Sequence, residues 1–184
     1  MWFNTYTFAV FLVVVFGSYW VLPPRGRQLF LLAASYVFYC WKTPVYGLLL
    51  VATTTLDFFC GLWIGHAQRP AHRRLALLCS LTGNLGILFF FKYIDFVGGN
   101  MAGLGRLLGF DTHWTPYDFL LPAGVSFYTF QSICYTLEIY RRQIQPCRNP
   151  ISFALYVAYF PQLVAGPIER ADHLLPQLQK TQTF

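Results

Sequence analysis

Charged side chains are scarce in this chain of 184 residues. They make up 11% of it, and only seven residues are acidic. Soluble domains carry about 25% charged residues, so this composition excludes an ordinary soluble protein. Hydrophobic residues reach 56%, and the mean hydropathy is +0.46. The chain is therefore predicted to be a membrane protein.

Acidic residues are outnumbered by 13 basic ones, which gives a formal net charge of +6. The basic residues are scattered between apolar runs, whereas a nucleic-acid-binding surface needs them gathered on one face. The sequence therefore gives no indication of nucleic acid binding. Instead, the positive charges bear on how the chain is oriented in a membrane.

Common catalytic and metal-binding motifs are absent. The sequence contains no glycine-rich phosphate loop, no GxSxG motif and no HExxH motif. Its five cysteines show neither CxxC spacing nor a Cys/His ligand pattern, which favours packing roles over a disulfide or a metal site. The four histidines lie in polar or loop-like segments without a nearby nucleophile, so we expect them at the surface. They are His66, His72, His113 and His173.

The sequence shows neither an internal repeat nor a low-complexity linker, and no cleavable leader is expected, because long apolar runs fill the chain instead. We predict an all-α integral membrane protein, a polytopic bundle of about five to six membrane segments whose last one crosses or re-enters the bilayer. Residues 1–184 are expected to form one integral-membrane unit. The apolar segments are 6–22, 29–41, 45–64, 75–97, 120–140 and 151–165, and the glycine-rich residues 98–116 are expected to form a loop with a short interfacial helix.

The distribution of basic residues predicts an outside N-terminus. If the segments alternate from there, eight of the 13 basic residues fall on the cytoplasmic side and five on the other, and the cytoplasmic groups are the dense ones. The eight are Arg25, Arg27, Arg69, Arg73, Arg74, Arg141, Arg142 and Arg148.

Segment 120–140 differs from the other apolar runs because its polar residues recur at helical spacing. At about 100° per residue, Tyr128, Gln131, Tyr135 and Glu138 share one face, which we call the ridge. A second strip carries Ser and Thr side chains. A carboxylate and an amide cost several kcal/mol in hydrocarbon unless they are paired, so both faces must meet protein, water or a substrate. We expect the residues that shield the ridge to be encoded chiefly beyond Phe184.

The segment that follows adds two prolines and a glycine at or near membrane depth. Broken backbone there is tolerated only where it is buried in protein or lines a cavity. We therefore predict that residues of this segment line a substrate tunnel together with the ridge. The candidates are Pro161, Gln162, Gly166, Pro167 and Arg170.

Three polar residues each allow two interpretations. Asp57 is either a functional carboxylate or a helix-packing acid near the cytoplasmic interface, where solvation is cheaper. Glu138 either lines the tunnel or pairs with Arg141 or Arg142 one turn away. Gln131 either makes a buried hydrogen bond to another helix or lines a cavity.

Three passages carry a family pattern. The first joins Ala34-Ser-Tyr-Val-Phe-Tyr39 with Leu56-Asp-Phe58, and the second is Asn84-Leu-Gly-Ile-Leu-Phe-Phe-Phe-Lys-Tyr93. The third and most distinctive joins Leu121-Pro-Ala-Gly-Val-Ser-Phe-Tyr-Thr-Phe-Gln131 with Phe160-Pro-Gln-Leu-Val-Ala-Gly-Pro-Ile168 and Arg170. Together they resemble the membrane-bound O-acyltransferase family (MBOAT), in the bacterial branch that acetylates alginate. Cys134 stands where serine is usual, Glu138 where aspartate is, and Arg142 where glycine often follows.

The resemblance implies the N-terminal half of the MBOAT fold. Members of this family are more than twice as long, and the histidine regarded as catalytic lies in their C-terminal half, so no catalytic residue is assigned in this chain. The implied activity is transfer of an acyl group, expected to be acetyl, to hydroxyls of an exported polysaccharide such as alginate. The chain is expected to be inactive alone.

The resemblance also implies the surroundings of the reaction. The acyl donor is a co-substrate, so no cofactor or metal is expected. The implied partners are the lipid bilayer of the bacterial inner membrane, polysaccharide-modification proteins outside it and a carrier of the acyl donor. Two other classes stay open: a small transporter or channel, which also uses intramembrane polar residues and broken helices, and a non-catalytic membrane scaffold.

Overall fold

The computed structural model describes residues 5–41, 43–116, 124–163, 166 and 169–180. Within these residues the chain is helical and contains no strand, which confirms the predicted all-α class. The helices are α1 (Tyr6–Val21), α2 (Pro24–Cys40), α3 (Val45–His66), α4 (Pro70–Leu107), α5 (Val125–Tyr140), α6 (Pro150–Ala158), α7 (Phe160–Leu163) and α8 (Ala171–Gln179).

Local sequence explains where these helices begin. Helices α2, α4 and α6 each carry a proline in their first turn, where its missing N–H has no partner to lose. The Thr5 hydroxyl accepts a hydrogen bond from the backbone N–H of Phe8 (3.3 Å) at the start of α1. Asn149 caps α6 in the same way through the N–H of Ile151 (3.0 Å).

Helices α3 and α4 are long and apolar enough to cross a membrane, and α1 is a shorter apolar helix. Their outer faces expose apolar side chains, including Val13 (72% exposed) and Leu48 (72% exposed). Such surfaces suit contact with lipid rather than water, in keeping with a membrane protein. The count of five to six membrane segments stays a prediction, because α2 and α5 have 17 and 16 residues and α6 has nine.

The loop predicted at 98–116 is wrong over its first half, because α4 continues to Leu107. The glycines in this region serve close packing rather than a turn. A Cβ on Gly98 would collide with the Trp114 ring, and one on Gly105 would collide with the Thr112 side chain. The chain after α4 therefore folds back onto its last turns, where Thr112 donates a hydrogen bond to the carbonyl of Ala102 (2.9 Å).

Helices α3, α4 and α5 pack against one another, and Arg73 ties their ends together. Its guanidinium donates to the carbonyl of Ile64 near the end of α3 (2.9 Å) and to those of Ile139 (3.2 Å) and Tyr140 (2.8 Å) at the end of α5. These C-terminal carbonyls have no intrahelical partner, and they carry the negative end of the helix dipole. The start of α4 therefore lies beside the ends of α3 and α5, so the three helices alternate in direction.

The predicted segment 151–165 is divided by a break in the backbone at Tyr159, between α6 and α7. The backbone N–H of Phe160 beyond the break donates to the Ser35 hydroxyl of α2 (3.2 Å). Helix α6 has nine residues and rises about 14 Å, less than half of the bilayer core of about 30 Å. It does not cross by itself, and its residues Phe153, Leu155 and Tyr156 are fully buried.

Candidate functional site

The ridge on α5 lies inside the protein. Tyr128, Gln131 and Tyr135 are at most 1% exposed, and Glu138 is partly buried. A Cβ on Gly61 of α3 would lie 2.8 Å from the Tyr135 ring, so the glycine lets α3 approach this face closely. The expectation that shielding comes chiefly from beyond Phe184 is wrong for these three residues, because the described helices already enclose them.

Aromatic rings of α6 cover the middle of the ridge. The ring of Tyr135 lies 4.6 Å from that of Phe153 and 6.3 Å from that of Tyr156, centroid to centroid. The Tyr135 hydroxyl accepts a hydrogen bond from the backbone N–H of Cys147 (2.9 Å), which ties α5 to the loop after it. Burial raises the pKa of the Cys147 thiol, which favours its protonated form.

Gln131 adopts the buried hydrogen bond that was one of its two interpretations, and its other polar atom stays without a partner. Its Nε2 donates to the carbonyl of Tyr156 (3.0 Å), whereas Oε1 is buried and makes no hydrogen bond. One turn earlier, the ring of Tyr128 meets that of Tyr39 of α2 edge to face at 6.3 Å. Both tyrosine hydroxyls are buried and lie near each other, without a hydrogen bond of good geometry.

Helix α5 carries most of the buried polar side-chain atoms that form no hydrogen bond of good geometry in the described part of the chain, although Ser132 lies near Asp57 and Tyr128 near Tyr39. Buried polar groups in proteins are nearly always hydrogen-bonded, and exceptions mark places where water or a ligand binds. Their concentration on one central helix makes α5 the candidate functional site. The five atoms are Tyr128 Oη, Thr129 Oγ1, Gln131 Oε1, Ser132 Oγ and Glu138 Oε2.

Asp57 is fully buried in the middle of α3, so its predicted position near the interface is wrong. Its Oδ1 accepts from the Ser80 hydroxyl (2.6 Å), and the Asn84 amide donates to both carboxylate oxygens (2.8 and 2.9 Å). The Ser80 hydroxyl also meets that of Thr136 on α5 (3.2 Å). These four residues, the Asp57 network, join α3, α4 and α5. The helix-packing interpretation of Asp57 fits this arrangement, with partners from α4.

Glu138 lies at the end of the ridge and faces α8. Its carboxylate faces the backbone N–H of Ala171 and lies near the side chains of Arg170 and Asp172. The predicted pairing with Arg141 or Arg142 is wrong, because both arginines are exposed and neither forms an ion pair with Glu138. The chain turns away from α5 at Arg142, whose φ of 60° ends the helix in the left-handed region.

Of the other tunnel candidates, Arg170 lies near Glu138 at the end of the ridge. Gln162 is buried, and a Cβ on Gly166 would lie 2.7 Å from its Cα. Pro161 is exposed and lines a separate cavity beside α1. Arg170 is exposed where α8 begins, and Pro167 lies outside the described residues.

The four histidines are exposed, as expected. His113 contacts Asp111 (2.9 Å), and His173 contacts Glu169 (3.1 Å). In the described ranges no three His, Cys, Asp or Glu side chains gather in a way that could hold a metal ion. The five cysteines are free thiols.

Sequence reasoning missed Ser80, Asn84, Tyr39 and Arg73. The signal for the first two was present, because a serine and an asparagine four residues apart share one face of an apolar helix. A carboxylate in an apolar helix, such as that of Asp57, needs hydrogen-bond donors, and this face of α4 offers two. Tyr39 and Arg73 gave no comparable signal, because aromatic and basic residues at helix ends are ordinary at a membrane interface.

Relatives of known name resemble the chain along nearly its whole length. It is 37% identical over 95% of its residues to the probable alginate O-acetylase AlgI of Azotobacter vinelandii, and 38% identical over 95% to that of Pseudomonas aeruginosa. It is also 32% identical over 96% of its residues to the peptidoglycan O-acetyltransferase of Helicobacter pylori. The chain spans 35%, 33% and 38% of these relatives' lengths, in that order.

These relatives confirm the resemblance found in the sequence. No protein-family model matches the chain, and no solved structure matches it.

Proposed function

We propose that this chain forms part of a membrane-bound O-acyltransferase. The support is its similarity, along 95% of its length, to probable alginate O-acetylases. The reaction moves an acetyl group from a donor to a hydroxyl oxygen of an exported polysaccharide such as alginate, and the hydroxyl proton leaves with the donor's group. Because the chain spans about a third of these relatives, we propose that it is inactive alone.

The part proposed for this chain is a wall of the substrate tunnel. The observation that carries it is the row of buried polar atoms along α5 that form no hydrogen bond of good geometry. Gln131 Oε1 can accept a hydrogen bond from a sugar hydroxyl, and the Tyr128 hydroxyl can donate to or accept from one. Such a contact would give these atoms a better-formed hydrogen bond than the neighbouring Tyr156 and Tyr39 supply.

Asp57 is proposed as a positioning residue. Its carboxylate is engaged by Ser80 and Asn84, and the network continues through Thr136 to α5. It thereby fixes the rotation of α5 about its own axis and the direction in which the ridge faces.

Donor, acceptor and surroundings follow from the same proposal. The donor is a co-substrate delivered by a carrier, with no cofactor. The acceptor is alginate or a related polysaccharide handled by partner proteins outside the membrane. Both alginate and peptidoglycan appear in the names of relatives, so the acceptor class is supported more firmly than the individual polymer.

We also propose that the chain is one multi-pass unit of the bacterial inner membrane with its N-terminus outside. Arg73 brings the basic start of α4 to the ends of α3 and α5, near Arg141 and Arg142. One end of the bundle therefore gathers basic residues, as cytoplasmic ends do. Labelling of single cysteines with an impermeant reagent tests this orientation. A cytoplasmic position of Thr5, or an outside position of Arg69, would contradict it.

The activity is tested with a chimera in which this chain replaces the matched third of the Pseudomonas aeruginosa relative. We expect the chimera to restore acetylation of alginate in cells that lack that relative, measured by nuclear magnetic resonance of the secreted polymer. The purified chain alone is expected to give no turnover. Restored acetylation of alginate by the chimera would support the proposed activity.

Ridge variants of the chimera sharpen the test. Gln131→Leu and Tyr128→Phe should each lower acetylation about tenfold, because each removes a polar contact to substrate worth about 1.4 kcal/mol. Val13→Ala on the exposed face of α1 is the matched control and should leave acetylation unchanged. A folded chimera without acetylation, or ridge variants equal to the control, would overturn the proposal, and turnover by the chain alone would overturn its inactivity.

A further inference from the structure

A small pocket lies at the end of the bundle where α3 and α5 end and α4 begins. Its volume is 200 Å³. Sites for drug-sized molecules usually begin at about 300 Å³, and one water occupies about 30 Å³. The pocket therefore fits a single compact group of a few atoms, such as a phosphate. We call it the Arg142 pocket, and its polar lining consists mainly of Gln68, Arg73, Arg142 and Gln145.

The lining of the Arg142 pocket is rich in hydrogen-bond donors and carries a positive charge. The amides of Gln68 and Gln145 supply N–H groups, and the Arg142 guanidinium supplies five more. None of the described residues that line the pocket is acidic, and Arg142 forms no ion pair with a described acidic residue. The group that fits this lining is therefore an anion.

The carbonyls of the two helix ends beside the pocket already have donors. Such carbonyls carry the negative end of the helix dipole and would otherwise repel an anion. Arg73 donates to three of them, and the backbone N–H of Arg142 donates to that of Ile139 (3.0 Å). Helix α4 begins just after Gln68 and adds the positive end of its own dipole. The charge of the Arg142 side chain is thus left for a ligand.

The backbone of Arg142 is in a conformation that arginine seldom adopts. Its φ of 60° lies in the left-handed region, and among the described residues other than glycine it alone has a positive φ. Glycine would adopt this conformation without steric cost. Strained residues of this kind concentrate at functional sites. The strain at Arg142 therefore agrees with a role for its side chain in the pocket.

Lipid-facing surface adjoins the Arg142 pocket. On α3, Phe59 and Trp63 are exposed within about 9 Å of Gly65 along the helix axis, and Gly65 lines the pocket. On α4, Leu75 and Leu78 are exposed in the first turns. Tryptophan gathers at the depth of lipid headgroups. The pocket therefore lies at the edge of the apolar surface, at the depth where a headgroup lies.

We propose that the Arg142 pocket binds the phosphate group of an acidic phospholipid, whose acyl chains lie along the exposed apolar faces of α3 and α4. Basic pockets between membrane helices recognise acidic headgroups in this way. A free phosphate ion offers the same chemistry to the pocket but has no chains for the adjoining apolar faces. The inference rests on the membrane location proposed above and not on the acetyl transfer.

Native mass spectrometry of the full chain in detergent measures the affinity of the first lipid that binds. Phosphatidylglycerol and phosphatidylcholine with identical acyl chains are titrated separately. We expect phosphatidylglycerol to bind more tightly. Arg142→Gln should weaken its binding about fivefold and leave phosphatidylcholine unchanged. Arg142→Gly removes the same charge and relieves the positive φ, so it should show the same loss in a chain that is at least as stable.

Arg141→Gln is the matched control. Arg141 is exposed and precedes Arg142, but it does not line the pocket, so its variant should keep the affinity for phosphatidylglycerol. Equilibrium dialysis with inorganic phosphate separates the two sources of the anion. We expect phosphate to bind more weakly than phosphatidylglycerol at equal concentration.

Four results would each overturn the proposal. Equal affinities for the two lipids would show that the headgroup charge is not recognised, and unchanged affinity in Arg142→Gly would place the acidic lipid elsewhere. Equal losses in Arg141→Gln and Arg142→Gln would show a diffuse attraction to this end of the bundle. Phosphate binding as tight as that of phosphatidylglycerol would assign the pocket to a soluble phosphate compound.

Flotation of the chain with vesicles tests the membrane location separately. A chain that floats with vesicles but does not prefer phosphatidylglycerol would overturn the lipid site alone and leave the membrane location intact.

Discussion

Helices α1 and α5 have 16 residues each and opposite designs. In α1 a single residue, Val15, is buried, and the exposed face carries Val10, Val13 and Phe16. In α5 nine residues are buried, and they include two tyrosines, a glutamine, two threonines and a serine. The apolar helix lies outside and the polar helix inside, the reverse of a soluble protein.

The solvent around each helix explains this difference. Lipid accepts Val and Phe side chains without cost but cannot hydrogen-bond to a hydroxyl or an amide. Polar residues are therefore confined to the helix that other helices enclose. Partners for such residues come from several elements, as the Asp57 network joins α3, α4 and α5. Mutations on α1 and around α5 should consequently have very different effects.

The largest effect is expected from Asp57→Leu, which removes the centre of the Asp57 network. The Asn84 amide and the Ser80 hydroxyl would stay buried with fewer partners, at a cost of about 3 kcal/mol in the free energy of unfolding. Denaturant unfolding in detergent micelles, followed by circular dichroism, measures this loss. Asp57→Asn keeps an acceptor oxygen and should lose less than half as much. Equal stability of Asp57→Leu and the unaltered chain would contradict the buried position of Asp57.

Arg73→Gln should come next, with a loss of about 2 kcal/mol, because charged hydrogen bonds to the ends of α3 and α5 disappear. Arg73→Lys is the informative control. It keeps the charge but lacks the planar fork that reaches the carbonyls of Ile64 and Tyr140 together, so it should recover only part of the loss. Full recovery by lysine would indicate that charge alone matters at this end of the bundle. The same unfolding measurement applies.

Gly124→Ala should destabilise the chain by about 1–2 kcal/mol, because Gly124 begins α5 with φ at 76°, where a Cβ is strained. The added Cβ would also lie 2.5 Å from the carbonyl oxygen of Leu163. Gly17→Ala in α1 is the matched control, since a Cβ there meets nothing within 4 Å. It should be neutral or slightly stabilising, because alanine favours a helix. Equal effects of the two substitutions would erase the contrast between α1 and α5.

The smallest effect is expected from Val13→Ala on the outer face of α1. Val13 is 72% exposed, so its substitution by alanine removes little packing. The free energy of unfolding should therefore change by less than about 0.5 kcal/mol. A loss as large as that of Gly124→Ala would show that another protein surface covers α1. Thermal unfolding of the two variants side by side gives the comparison directly.

Prediction from the sequence succeeded for features that depend on a single helix. The bounds of α1 and α3 were predicted to within two residues, because apolar runs end at Pro23-Pro24 and beside a polar loop. The ridge was also readable, since helical spacing alone puts its residues on one face. Prediction failed where a residue's role depends on a distant partner. Gly98 was predicted to lie in a loop, although it belongs to α4 and the Trp114 ring occupies the space where its Cβ would be.

Composition and periodicity by themselves determined that this chain is helical, that its outer surface is apolar and that segment 120–140 must be enclosed. These properties follow from local chemistry, because each helix must satisfy its own backbone and each face must match its solvent. Only the tertiary structure decided that Asp57 meets Ser80 and Asn84, that Arg73 joins three helix ends and that Gln131 bonds to α6. Such pairings depend on the rotation and depth of each helix against its neighbours, which packing of the whole bundle fixes and no single segment encodes.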